Sequence, residues 1–189
     1  MTTERIEPPA TEPVSLAEAK AFLRVDGDGE DELIANLIAA ARERIERAAG
    51  RAMIAQGWRV RVDALPAGRV LALPVRPVLA VTAVRVADAG GVLQPLDEAD
   101  YEVDTAGGRV AIKAAVVPGR RLGGIEVDVT AGYGAAASSV PEDLRQAVRL
   151  LVADAHANRG DAATERAGAG LPAAAAALIA PFRQLRLLP

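Results

Sequence analysis

The chain has no cysteine, and a single histidine, His156, among its 189 residues. Disulfides, iron–sulfur clusters, zinc–cysteine sites and thiol catalysis are thereby excluded. Aromatics are nearly as scarce: one Trp, two Tyr and two Phe give the core few large anchors and leave no stacking platform for nucleic acid. Long apolar runs are missing too. The alanine-rich stretch near the C-terminus is cut by Pro172 and Pro181, well short of the roughly 18 to 20 residues of a membrane helix. The opening MTTERIEPPATEPVS sets glutamates and prolines where a secretory signal needs a basic start and an apolar run, so a soluble, intracellular protein is expected. An excess of one charge is also lacking. The 22 basic residues face 25 acidic ones, which argues against a general affinity for polyanions. Twenty of the 22 are arginine, and with 42 alanines this bias reflects a GC-rich coding sequence more than selection for phosphate binding.

What is present is length and periodicity. A chain of 189 residues buries roughly 70% of its unfolded surface, so it folds without staples, as one or two domains. Residues 1–14, rich in proline, read as a flexible arm. Ser15 and Glu18 then have the spacing of a capping box, which starts a short helix over about 16–24 with Leu16, Ala19, Phe22 and Leu23 near one face. Asp26-Gly27-Asp28-Gly29 supplies the turn that ends it. From Glu30 to Ala49, apolar residues at Leu33, Ile34, Leu37, Ile38, Ala41, Ile45 and Ala48 or Ala49 make one helical stripe. Gly50 stops that helix; its acidic start and its later Arg42, Arg44 and Arg47 complement the dipole.

The period changes near residue 57. Trp58, Val60 and Val62 alternate with Arg59, Arg61 and Asp63, as in a half-buried strand, and further strands are expected at about 69–73, 78–86, 92–96, 101–104, 109–113 and 125–131. Tight turns between them imply an antiparallel sheet, because parallel strands need long connectors. The glycine pairs Gly90-Gly91, Gly107-Gly108 and Gly123-Gly124 read as hairpin turns. A helix resumes after Pro141 with Leu144, Val148, Leu151, Val152 and Ala155 on one face, up to about Asn158. Residues 159–170 read as a linker. An alanine-rich helix near 172–180, a kink at Pro181 and a last segment with Phe182, Leu185, Leu187 and Leu188 end the chain. The expected class is α+β: a helical bundle with an inserted small antiparallel β-sheet region and a C-terminal helical tail. Its parts are N-terminal helices over 15–56, the β region over 57–132, a third main helix over 133–160 that packs on the first two, and a linker with a partner-binding tail over 161–189.

No motif nominates catalysis. The acidic run Asp26, Asp28, Glu30, Asp31, Glu32 fails as a calcium loop, since an EF-hand counted from Asp26 needs glycine at Asp31 and glutamate at Leu37. His156 lies near a helix end with Asp154 beside it, and a structural or dipole role outweighs acid–base chemistry, for which no second group is marked. Ser138 and Ser139 lack the surroundings of a nucleophile elbow. No catalytic, metal or cofactor residue is therefore expected. Two lesser readings stay open: a nucleic-acid-binding accessory protein using Arg120, Arg121 and other basic loop residues, and a small hydrolase built on His156 with a nearby carboxylate. The tail is the remaining feature. Spaced apolar anchors on a detached segment suit a groove on another protein, or else fold back on the chain's own helices.

The ordered set of short motifs resembles the adaptor, or head–tail connector, proteins of long-tailed phages and gene transfer agents. It runs through Pro13-Val14-Ser15-Leu16-Ala17-Glu18-Ala19-Lys20, Phe22-Leu23-Arg24-Val25-Asp26, Glu30-Asp31-Glu32-Leu33-Ile34, Ala40-Ala41-Arg42-Glu43 and Gly50-Arg51-Ala52-Met53-Ile54. It continues in Leu73-Pro74-Val75-Arg76-Pro77-Val78, Val129-Thr130-Ala131-Gly132-Tyr133-Gly134 and Val140-Pro141-Glu142-Asp143-Leu144-Arg145-Gln146-Ala147, and so covers about residues 13–159. The resemblance implies a structural, non-enzymatic subunit of a dodecameric ring beneath the portal, in the neck of a particle assembled in the bacterial cytoplasm. Its implied partners are the portal protein, tail-side neck proteins (stopper or tail terminator) and further copies of itself. DNA would pass through the lumen without sequence-specific binding, and no membrane is involved. Related connectors engage the portal through their C-terminal segment; the resemblance fades beyond residue 159, and the spaced anchors of the tail itself assign that contact here to Leu178, Ile179, Phe182, Arg183, Leu185, Arg186, Leu187 and Leu188.

Overall fold

The structure, a computed structural model, describes residues 1–158 and 170–183. The chain forms two compact units. Met1–Ala10 and Ile54–Ala135 make a β unit; Thr11–Met53 and the chain from Ala136 onward make a helical unit.

In the helical unit, α1 (Leu16–Leu23) begins as the sequence predicts. The Ser15 hydroxyl accepts from the Glu18 amide at 3.2 Å, and the Ser15 amide donates to the Glu18 carboxylate at 2.8 Å. Arg24 ends the helix in the left-handed region at φ 59°. Replacement Ser15→Ala orphans the Glu18 amide and should cost about 1 kcal/mol, measured by denaturant unfolding. The second helix, α2 (Asp31–Ala49), buries Ile34, Ile38, Ala41, Ile45 and Ala49 and closes on Gly50 at φ 65°. Leu33, expected in the stripe, is exposed, and Arg42 is buried within it. Two carboxylates make that burial tolerable: Glu12 at 2.8 Å and Glu46 at 3.0 Å. The third helix, α3 (Glu142–Ala157), buries Leu144, Ala147, Val148, Leu151 and Val152, so Ala147 takes the inward place expected of Ala155, which is exposed. These helices pack on one another, and a short α4 (Ala173–Ile179) packs on α3 and α2.

The β unit corrects two expectations. The arm over 1–14 is in part a strand, β1 (Thr2–Glu7), antiparallel to β2 (Gln56–Val62). All six of its side chains are exposed, so it carries no apolar alternation by which sequence could reveal it. The single sheet is two. One has five strands in the order β1-β2-β8-β4-β5, with β4 at Val78–Ala87, β5 at Leu93–Pro95 and β8 at Ile125–Ala131. The other has three, β3-β7-β6, with β3 at Val70–Ala72, β6 at Tyr101–Asp104 and β7 at Arg109–Ile112. All pairings are antiparallel. Val60, Val62, Val84, Val86, Ile125 and Val127 of the first sheet share one core with Leu71, Val110 and Ile112 of the second. The second sheet exists because those three residues need the same apolar layer to hide in.

Gly90-Gly91 and Gly107-Gly108 do turn hairpins, between β4 and β5 and between β6 and β7. Gly123-Gly124 does not: it lies on the connection from β7 to β8, which belong to different sheets. Where the chain enters and leaves the β unit, the two strands of chain run side by side, with the Ala55 amide bonded to the Gly134 carbonyl at 2.8 Å. Gly132 permits this approach. It sits at φ 144°, and a Cβ there would stand 2.6 Å from backbone atoms of Ile54 and Ala55.

Candidate assembly surfaces

The anchors expected on the C-terminal tail begin at the end of the described chain. Pro181 stops α4 and leaves a 3₁₀ turn over Ala180–Phe182. Of the anchors expected on the tail, Ile179 is fully buried in the helical unit, together with Ala175. That corrects its assignment: Ile179 fastens α4 in place and is not presented to a partner. Leu178 and Phe182 are half-buried, and Arg183 is exposed. The Phe182 carbonyl accepts from Arg51 Nε at 3.0 Å, and the Gly170 carbonyl accepts from Arg44 at 3.1 Å. Both ends of α4 are thus tied to α2 or the residue after its cap. The fold-back expected as the alternative holds for the chain through Phe182. Leu185, Arg186, Leu187 and Leu188 lie outside the described residues.

A second surface is the face of the five-stranded sheet opposite its core. Alternation puts Arg59 and Arg61 of β2, Glu126 and Asp128 of β8, and Arg85 of β4 on this face. Asp128 accepts two bonds from Arg59, at 2.7 and 2.8 Å, and one from Arg85 at 2.7 Å. Glu126 accepts from Arg61 at 2.7 Å, and Arg61 also reaches Glu4 of β1 at 2.9 Å. The two β8 carboxylates are buried beneath guanidinium groups that remain partly exposed. The hydrogen bonds from Arg59, then the one from Arg85, hold the Asp128 carboxyl below its ordinary value, and the bond to Asp128 raises Arg59. Sequence reading had only the alternation of arginine with valine on β2. Nothing local in it pairs Arg59 with a carboxylate 69 residues away.

Arg120 donates to the carbonyls of Gly123 in its own loop and of Gly91 in the β4–β5 turn, while Arg121 is exposed. The exposed Val117 and Leu122 flank them. Asp31, of the acidic run, pairs with Lys20, whose ammonium also reaches the Gly27 carbonyl, and so ties the α1–α2 turn. Among the described residues no group of three or more carboxylates or histidines is placed to hold a metal ion. His156, in the last turn of α3, lies 2.9 Å from Glu30 at the cap of α2, a contact that joins two helices. Among the described residues no helix is long and apolar enough to cross a membrane.

Comparison with known proteins makes the chain a structural protein of the head–tail connector type. The chain belongs to the head completion protein family, whose pattern it matches over residues 12–183. It is also similar to solved structures: a chain in the neck of an empty gene transfer agent particle computed with C6 symmetry (33% identity, TM-score 0.81), one in the virion of a native gene transfer agent particle (33%, 0.79), and one in the neck of a native particle computed with C12 symmetry (33%, 0.74). Each likeness covers 100% of this chain and 98% of the other. No curated protein matches by sequence.

Proposed function

We propose that the chain is a non-enzymatic subunit of a dodecameric ring seated beneath the portal in the neck of a gene transfer agent or phage-like particle, where it joins head to tail. The observation that carries this reading is the end-to-end likeness, at 33% identity, to chains in necks of six- and twelvefold symmetry. A closed ring needs one heterologous contact repeated around an axis, and a particle neck needs two further faces, one for the portal and one for tail-side proteins such as a stopper or tail terminator. The portal contact is assigned to Leu178, Phe182, Arg183 and the segment that follows with Leu185, Arg186, Leu187 and Leu188.

DNA passes through the lumen without sequence-specific binding. The bonding of Arg42, Arg59, Arg61, Arg85 and Arg145 to carboxylates of the same chain favours this, because a duct lined with free cations would grip phosphate and slow transit. Assembly takes place in the bacterial cytoplasm, and the finished subunit stays with the particle. The test is affinity capture of the tagged chain from cells that produce it, with co-purifying proteins identified by mass spectrometry. Portal, capsid and tail proteins together are the expected result. Recovery of nucleic acid or metabolic enzymes without portal would overturn the reading.

A further inference from the structure

Resting on the ring reading, we infer that β1 is an exchangeable arm: in the assembled neck the N-terminal strand of one copy completes the five-stranded sheet of the next. The strand is attached in an unusual way. None of its six side chains is buried, so it adds a backbone ladder to β2 and almost no core. Its ties to the sheet include the Glu4–Arg61 ion pair at 2.9 Å and the Met1 amino group 3.9 Å from Asp63. The ladder partners Gly57–Arg61 and the acceptor Asp63 all lie on one short stretch, and an identical copy offers the same groups in the same register. Exchange between copies therefore keeps the ladder and both of these ties.

The chain leading out of β1 favours the exchange. Glu12 is fixed to the helical unit by Arg42 at 2.8 Å, and the Pro13 carbonyl by Arg145 at 2.9 Å, with Val14 fully buried. Between Glu7, the last residue of β1, and Glu12 lie only Pro8, Pro9, Ala10 and Thr11. Two consecutive prolines keep this short spacer extended, at roughly 3 Å per residue, and short hinges are where exchange between copies takes place. The receiving edge is shaped for a strand. A Cβ on Gly57 would stand 2.9 Å from the Glu7 Cβ, so glycine here leaves room for β1 wherever that β1 originates.

The absence of native cysteine makes the test direct. Thr2 and Arg61 are paired across the strands, and the double variant Thr2→Cys/Arg61→Cys is treated with a short bifunctional thiol reagent, as free chain and as assembled oligomer or particle. Thr2→Cys/Asp63→Cys, about 7–8 Å apart on the diagonal, keeps the Arg61 ion pairs and serves if the first variant folds poorly. Covalent ladders of two or more chains from the assembled form, with monomer bands from the free chain, are the expected result. Gly57→Val should then reduce the ladder at least tenfold. Assembled rings that yield only intrachain links overturn the exchange and leave the ring reading intact. A chain that assembles under no condition, with or without the portal, overturns both.

Discussion

Removal of residues 184–189 should leave the helical unit folded and abolish retention by the portal, while removal of 171–189 should damage the fold itself. The two truncations separate roles that the sequence assigns to one tail. Ile179 and Ala175 are fully buried in their own unit, and the Phe182 carbonyl holds Arg51, so the longer truncation strips a packed helix from α3 and α2. Losing the Ile179 side chain alone is worth about 2–4 kcal/mol, and losing the whole of α4 more than that. The shorter truncation touches none of these contacts. It deletes Leu185, Leu187 and Leu188, three apolar anchors in six residues, and a loss of that kind weakens an interface by on the order of 100-fold or more. Unfolding curves and portal-ring capture, run on both variants, decide it. Full portal capture after the shorter truncation would place the contact elsewhere.

The second large effect is expected in the β unit. Asp128→Ala removes the carboxylate shared by Arg59 and Arg85 and leaves two guanidinium groups facing each other over a buried strand. Breaking a fully buried pair costs about 3–5 kcal/mol; because the arginine side chains here are 27% and 31% exposed, about 2–4 kcal/mol is expected, or a fall on the order of 10 °C in Tm. The same group sets an acid limit. The folded-state value of Asp128 lies below its ordinary 3.8, so its contribution is complete above that value and is lost as pH falls through the lower, folded one. Melting curves between pH 2 and 7 should therefore show the native chain losing stability mainly below about pH 4. In Asp128→Ala this acid-dependent loss should be smaller, because part of it has already been removed. An unchanged Tm at neutral pH would mean that the cluster is neutral for stability.

The helices were legible in the sequence because each buries one stripe, and the stripe is local. The Ser15–Glu18 box, the Gly50 stop and the Ile34, Ile38, Ile45 spacing can all be read within a few residues. Most strands of the β unit were legible for the same reason, at period two. What escaped was non-local. β1 has no buried side chain, so its strand character comes entirely from the edge of β2, some 50 residues away. The division into two sheets follows from which strands share a core, which alternation within one strand does not encode. Arg42 reads as a dipole partner and proves to be buried, because its acceptors include Glu12, thirty residues earlier. Of the candidate site, the anchor spacing was visible, but not that Ile179 is consumed by packing: a buried apolar residue and a partner-facing one look alike until the neighbouring helices are in place.

Image reconstruction of particles purified from cells that make this chain tests the central claim most directly. The chain should be traceable through a closed ring between head and tail, with its helical unit and two-sheet β unit both recognisable in each copy. A neck ring built from another protein, with this chain absent from the particle, would contradict it.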